Sequence, residues 1–133
     1  MPELNWLAVV AAAASAFLLG GLWYSKAMFL RPWQRGAGLT DDQLQKGHPG
    51  KIFGGAFLLS LVAAAVFALF LGPKPALGFA LGAGFSAGLC WVAASFGINY
   101  LFERRSLALF LVNGGYHTLQ FTLYGLVLGL WHY

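Results

Sequence analysis

Four long apolar stretches dominate the pattern along the chain, at residues 4–25, 52–72, 76–102 and 107–131. Each reaches the ~20 residues that a helix needs to cross a hydrocarbon core of ~30 Å. None alternates between apolar and polar positions, which favours helices over a barrel. The pattern predicts an all-α integral membrane protein in which four transmembrane helices form two helical hairpins. We expect a single domain, 1–133, with helices at about 4–30, 51–72, 76–102 and 107–131.

The long connection after the first stretch has structural signals of its own. Pro32 is expected to end or kink the first helix near Arg31, because proline cannot donate a helical hydrogen bond. Thr40 and Gln43, in the segment TDDQ, fit a capping box. These signals predict a short amphipathic helix at the membrane surface within the 1–2 loop. Ser106 is expected to cap the fourth helix.

Composition agrees with a membrane protein. Of the 133 residues, 59% are hydrophobic and 9% are charged, and the mean hydropathy is +0.71. Soluble domains have about 25% charged residues, so lipid must be the solvent for much of this surface. Cys90 is the one cysteine in the sequence, which excludes an intrachain disulfide.

The distribution of cations predicts orientation. Of the eight Lys and Arg residues, seven flank the first and third connections, and Lys74 alone lies in the second. The positive-inside rule then puts loops 31–50 and 103–106 in the cytoplasm and both termini outside. We expect a multi-pass protein of the cell (inner) membrane whose surroundings are the lipid bilayer. Since this asymmetry explains the net charge of +4, we do not infer a nucleic-acid partner.

Small residues recur at helical spacing and predict close helix packing. Because four short helices enclose little interior, some small faces are expected to join protomers in a homo-oligomer; coincidence is the alternative, since Gly and Ala are abundant. A weaker signal is the similarity of GLWY at 21–24 to GINY at 97–100, which fits a parallel repeat of two hairpins. The packing candidates are Gly78, Gly82, Gly84, Gly88, Gly125 and Gly129.

A polar stripe interrupts the fourth stretch. Asn113, His117, Gln120 and Tyr124 follow one another at i, i+4, i+7 and i+11 and therefore share a helix face, with Tyr116 beside it. Counting depth from the turn at 103–106 puts His117 level with Val92. The same counting brings Asn113 near two polar residues of the third stretch, so one hydrogen-bonded cluster is expected near the inner leaflet. Its members from the third stretch are Ser95 and Asn99.

Two interpretations of these polar residues remain open. They can hold helices together through interhelical hydrogen bonds, or they can form an intramembrane ligand or ion site in which His117 titrates. Glu103 is expected to pair with Arg104 or Arg105 at the interface, or to line a cytoplasmic vestibule. Cys90 is expected near His117, but two such residues are too few for a zinc site.

The sequence contains no recognised catalytic motif. There is no Gly-rich phosphate loop, no GxSxG, no CxxC and no HExxH. We therefore predict no catalytic residues, no metal and no cofactor, and an enzyme is the less favoured class.

Several segments together resemble a bacterial family of small four-helix membrane proteins, domain of unknown function 1761. The matching segments are NWLAV at 5–9, LWYS at 22–25, GLTDDQL at 38–44, N at 99, LFERRS at 101–106 and LFLVNGGYH at 109–117. The resemblance implies the four-helix fold and the membrane location, and it supplies no catalytic residues.

Three classes of function are compatible with these features. The leading hypothesis is an oligomeric small-solute or ion transporter or channel-like protein, which requires a watery cavity that reaches His117 or Asn113. A membrane scaffold or partner-binding subunit would instead have a dry core and an exposed small-residue face. A membrane-embedded enzyme or cofactor binder using His117 would have a cavity with convergent polar groups. A small-molecule or lipid ligand is compatible with all three.

Overall fold

The computed structural model describes residues 4–131, and all regular structure in this range is helical. Four long helices and two short ones follow one another. The fifth helix contains a π-helical segment, Ala87–Ala93, in its middle. The helices are α1 (Trp6–Trp23), α2 (Leu30–Ala37), α3 (Asp41–Lys46), α4 (Pro49–Leu71), α5 (Leu77–Glu103) and α6 (Leu107–Leu130).

The last helix is the centre of the packing. α6 packs against α5 along most of its length, against α1 on another side, and against α2 near its own start. α4 packs chiefly on α1 and touches α6 lightly. The chain therefore has two antiparallel pairs, α1 with α4 and α5 with α6, which meet through α1 and α6. We call the end with α2, α3 and residues 104–106 the basic end.

Within residues 4–131, three helices are long and apolar enough to cross a membrane, namely α1, α4 and α5. The sequence predicted four. α6, with 24 residues, is longer than α1 with 18, so length is not the reason. Its polar residues Asn113, His117 and Gln120 lower its mean hydropathy, so α6 is less apolar than a membrane-spanning helix usually is.

The surface of the long helices is strongly apolar. Leu18, Leu59 and Leu101 are among many large hydrophobic side chains that point outward, and they are 73%, 70% and 81% exposed. Exposed apolar area of this extent on consecutive helices is typical of a surface that contacts lipid or another protein. Small residues, such as Ala12, Ala16 and Ala64, make up much of the interior instead.

The prediction for the end of the first helix was wrong. Helix α1 ends at Trp23 and not near residue 30, and the chain turns so that the Phe29 amide donates to the Trp23 carbonyl at 3.0 Å. A separate helix, α2, then begins at Leu30. Pro32 lies in its first turn, where a missing amide donor costs no helical hydrogen bond. Proline therefore helps start a second helix rather than end the first.

The predicted helix caps are present. Thr40 Oγ1 accepts from the Gln43 amide at 3.2 Å, and Gln43 Oε1 accepts from the Thr40 amide at 2.8 Å, which completes the capping box of α3. Ser106 Oγ accepts from the Leu109 amide at 3.1 Å and caps α6. These local signals work because each involves residues three apart in sequence.

The candidate packing glycines fall into two groups. Gly84, Gly88, Gly125 and Gly129 lie where α5 and α6 cross; a Cβ on Gly88, for example, would be 2.7 Å from the His117 carbonyl oxygen. Substitution at these positions would force the two backbones apart. Gly78 and Gly82 are different, because a Cβ on either would meet open space.

Candidate functional site

Asn113 is the centre of the first polar cluster, near the basic end. Its Oδ1 accepts from the Tyr24 hydroxyl at 2.6 Å, and its Nδ2 donates to the Tyr100 hydroxyl at 2.7 Å. Tyr24 follows α1 directly and Tyr100 lies in α5, so a single amide joins three helices. We call Tyr24, Tyr100 and Asn113 the Asn113 cluster. One turn of α6 away, Tyr116 donates its hydroxyl to the Ala16 carbonyl at 2.9 Å.

The predicted partners of Asn113 were wrong. Asn99 is exposed, and Ser95 is exposed with its hydroxyl donating to the Trp91 carbonyl of its own helix at 2.6 Å. The depth count compared only levels along the helix axes, and it did not define which side of α5 points at α6. Residues Ala94–Glu103 form a regular α-helix between the π-helical segment and the turn. On this helix Tyr100, and not Asn99, faces Asn113.

A second set of polar side chains forms a chain across the core. His117 Nδ1 and Gln120 Oε1 are 2.5 Å apart, and Gln120 Nε2 donates to the Tyr124 hydroxyl at 2.6 Å. The Tyr124 hydroxyl and Ser60 Oγ share a hydrogen bond of 2.6 Å, and Ser60 Oγ also lies 3.4 Å from the Ala13 carbonyl oxygen. This set, which we call the His117 chain, runs from α6 through α4 to the backbone of α1.

The orientation of the Gln120 carboxamide decides which imidazole nitrogen donates in this contact. An amide Oε1 is an acceptor, so with this orientation of Gln120 the proton must be on His117 Nδ1. Tyr124 is fully buried, and Gln120 and Ser60 are nearly so. Throughout the described part of the chain, each buried side-chain nitrogen or oxygen has a hydrogen-bond partner. The polar core is therefore satisfied by side chains and backbone of the chain itself.

The His117 ring lies closer to the basic end than predicted. It stacks on Phe96 with ring centres 4.9 Å apart and planes 8° apart, and its edge contacts Tyr116 at 5.0 Å. Side chains lean toward the N-terminus of their own helix, and α6 begins at the basic end. The ring therefore reaches past the predicted level of Val92, while the His117 backbone lies against Gly88.

The other candidate residues are at the surface. Glu103 Oε1 and Arg105 Nε are 3.3 Å apart in an ion pair whose side chains are 52% and 42% exposed. Arg105 also donates to the Gly36 carbonyl of α2 at 3.5 Å. Cys90 is exposed and does not join the buried polar core. Among the described residues, no three His, Cys, Asp or Glu side chains come together as a metal site would require.

Three residues of these two polar groups were not predicted from the sequence: Tyr24 and Tyr100 of the Asn113 cluster, and Ser60 of the His117 chain. Two of them had a signal, because Tyr24 and Tyr100 are the final residues of the similar segments GLWY and GINY. Both tyrosines bond to the same amide, so the similarity marks equivalent positions on α1 and α5. Ser60 had no such signal, since a serine on an apolar helix is common and its partner lies 64 residues further along the chain.

The fold and this core define an all-helical protein with three potential membrane spans and an interior polar network. The chain belongs to the family described as protein of unknown function (DUF1761), whose model matches residues 7–129. This match agrees with the resemblance carried by the sequence segments. No curated protein and no solved structure matches the chain.

We expect Asn113→Ala to destabilise the fold by about 1–3 kcal/mol, because the Tyr24 and Tyr100 hydroxyls both lose their partner. The matched control is Asn99→Ala, the same substitution on an exposed asparagine, for which we expect a change within about 0.5 kcal/mol. Unfolding by sodium dodecyl sulfate in mixed micelles, followed by circular dichroism, measures both. Equal losses in the two variants would contradict the assignment of Asn113 to the interior.

Proposed function

We propose that the chain is a multi-pass membrane protein in which α6 crosses the bilayer together with α1, α4 and α5. With 24 residues, α6 extends about 36 Å, more than the ~30 Å hydrocarbon core. Its polar residues lower its hydropathy, but they face α1, α4 and α5. A helix shielded in this way does not need to be apolar on every side, because its polar groups avoid lipid.

We further propose the inner-membrane orientation that the cations favour. The basic end carries Arg31, Arg35, Lys46, Arg104 and Arg105, and the opposite end carries Lys74. This asymmetry supports a cytoplasmic basic end with both termini outside. Loops 31–50 and 103–106 then lie in the cytoplasm.

Single cysteines in a Cys90→Ser background test the orientation. A membrane-impermeant maleimide added to intact cells should label Lys74→Cys and leave Arg35→Cys and Arg105→Cys unlabelled. Permeabilised cells are the control, since both cytoplasmic positions should then react. Labelling of 35 and 105 from outside, with 74 protected, would reject this orientation.

The function that the geometry supports best is that of a self-associating scaffold in the membrane. The observation that carries it is a core whose polar groups are bonded directly to one another, combined with an open face of small residues on α5. We call Gly78, Gly82, Ser86 and Cys90 the small-residue face; all four are exposed. The opposite side of α5 already packs on α6 through Gly84 and Gly88.

A second copy of the chain is the occupant we propose for the small-residue face. Two such faces are self-complementary, because close approach of backbones about a two-fold axis needs small residues from both partners. A Cβ at Gly82 would meet open space within the chain, so the face is free for this contact. Cys90 of one protomer would then lie near Cys90 of the other.

Oxidative cross-linking at the native Cys90 tests this association. In lipid or mild detergent, we expect oxidation to give a covalent dimer, and Gly82→Leu to weaken it because the larger side chain separates the backbones. Gly55→Leu on α4 is the matched control, since Gly55 is also open but lies on another helix. A monodisperse monomer by light scattering in both lipid and detergent would refute the scaffold.

Transport of a proton or small ion is the second candidate, and the His117 chain is the observation that favours it. An imidazole, an amide and two hydroxyls follow one another at 2.5–2.6 Å across the core. The imidazole and the two hydroxyls can pass a proton by exchanging donor and acceptor roles, whereas the Gln120 carboxamide between them can relay one only by tautomerising to its imidic acid form. The intramembrane position of His117 supports the same role.

Proton flux into liposomes distinguishes the two candidates. If the protein conducts protons, His117→Gln should leave folding intact and abolish flux, because glutamine keeps a hydrogen bond and cannot titrate. Asn99→Gln is the control, an exposed residue outside the chain of hydrogen bonds. A wild-type protein with no flux above empty liposomes would exclude proton conduction and leave the scaffold.

A further inference from the structure

A wide cleft of about 610 Å³, open to its surroundings, lies at the basic end between the last turn of α2 and the connection of α5 to α6. Arg35, Arg104 and Arg105 line it, and we call it the arginine pocket. The three arginines come from two separate elements. Arg35 belongs to α2, and Arg104 and Arg105 follow it by 69 and 70 residues in the chain. The rest of the lining is Pro32, Gly36, Glu103, Ser106 and Ala108.

The arginine pocket has an excess of positive charge. Glu103 is its one carboxylate, and the ion pair with Arg105 occupies it. Within residues 4–131, neither Arg35 nor Arg104 forms an ion pair. Ser106 caps the start of α6 at the rim, so the positive end of that helix also faces this region. Guanidinium groups bind phosphate and carboxylate oxygens through paired hydrogen bonds.

Arg104, which lines the pocket, has an unusual backbone conformation. Arg104 ends α5 in the left-handed region, with φ of 60°. Glycine is the usual residue at such a position because it has no Cβ to clash. Here an arginine occupies it, so a guanidinium group stands at the pocket where glycine would supply none. Lys74 also adopts the left-handed region, with φ of 48°, so the pocket and not the backbone angle carries the argument.

Apolar side chains beside the pocket indicate what kind of anion it holds. Leu101, Phe102 and Leu107 flank the turn and are 81%, 86% and 70% exposed. A ligand with a phosphate group and adjacent acyl chains would contact both the arginines and this apolar surface. Basic pockets at the ends of membrane helices suit anionic lipid headgroups in this way.

We propose that the arginine pocket binds a phosphate ester, and that the ester is the headgroup of an anionic phospholipid. The proposal rests on the proposed membrane insertion, which sets the pocket at headgroup level. Arg35 and Arg104 hold the phosphate oxygens. Arg105 ties the pocket to α2 through the Gly36 carbonyl, and the acyl chains run along α5 and α6.

Native mass spectrometry of the full chain in neutral detergent tests the proposal. Phosphatidylglycerol should bind, and phosphatidylcholine should bind far less. We expect Arg35→Gln and Arg104→Gly each to weaken phosphatidylglycerol binding about fivefold, because each removes one cation near the headgroup. Glycine suits the backbone at 104, so this variant should fold at least as well as the original. The control is Lys46→Gln, an exposed cation at the same end and outside the pocket.

Three further outcomes have definite meanings. Equal losses for Lys46→Gln and Arg104→Gly, or equal binding of the two lipids, would overturn the pocket in favour of diffuse surface charge. If glycerol 3-phosphate alone binds and loses affinity in the Arg104→Gly variant, the site stands and the ligand is a soluble phosphate ester. If lipid binding persists while labelling of intact cells gives the reverse orientation, the pocket survives and the proposed topology fails.

Discussion

The need to satisfy polar side chains inside a helical core decides where α6 lies. Asn113, Gln120 and Tyr124 carry donors and acceptors that cost several kcal/mol each if left unpaired in an apolar medium. The helices that pack against α6 in this region supply the hydrogen-bond partners. Tyr24 directly follows α1, Ser60 belongs to α4 and Tyr100 belongs to α5. The most polar long helix is thus the central one.

Close approach of α5 and α6 is the second requirement, and it depends on glycine. Gly84 and Gly125 each lie so near the backbone of the facing helix that a Cβ would overlap a carbonyl group. The π-helical segment Ala87–Ala93 lies in the same crossing. The glycines let the two backbones approach closely there, and further along α5 Phe96 and Tyr100 contact His117 and Asn113.

The interior and the surface of this protein suggest different roles. In the interior, polar groups bond to one another and hold helices in register, which supports a rigid subunit. On the surface, two features have no partner within the described chain: the small-residue face of α5 and the arginine pocket at the basic end. One is apolar and flat enough for a second copy, and the other is charged and concave. A scaffold that is anchored by anionic lipid and paired through α5 would use both surfaces.

Local and periodic features were readable from the sequence. The α-helical class, the approximate extent of α4, α5 and α6, the capping box at Thr40 and the cap at Ser106 all depend on residues within a few positions of each other. The polar stripe on α6 was also predictable, since i, i+4 and i+7 spacing defines one face of any α-helix. Tertiary structure alone decided the partners of that stripe. Asn113 bonds to Tyr24 and Tyr100 rather than to Asn99. No short-range pattern predicts these partners, since they depend on which sides of α1 and α5 fit against α6, which lies far away in the sequence.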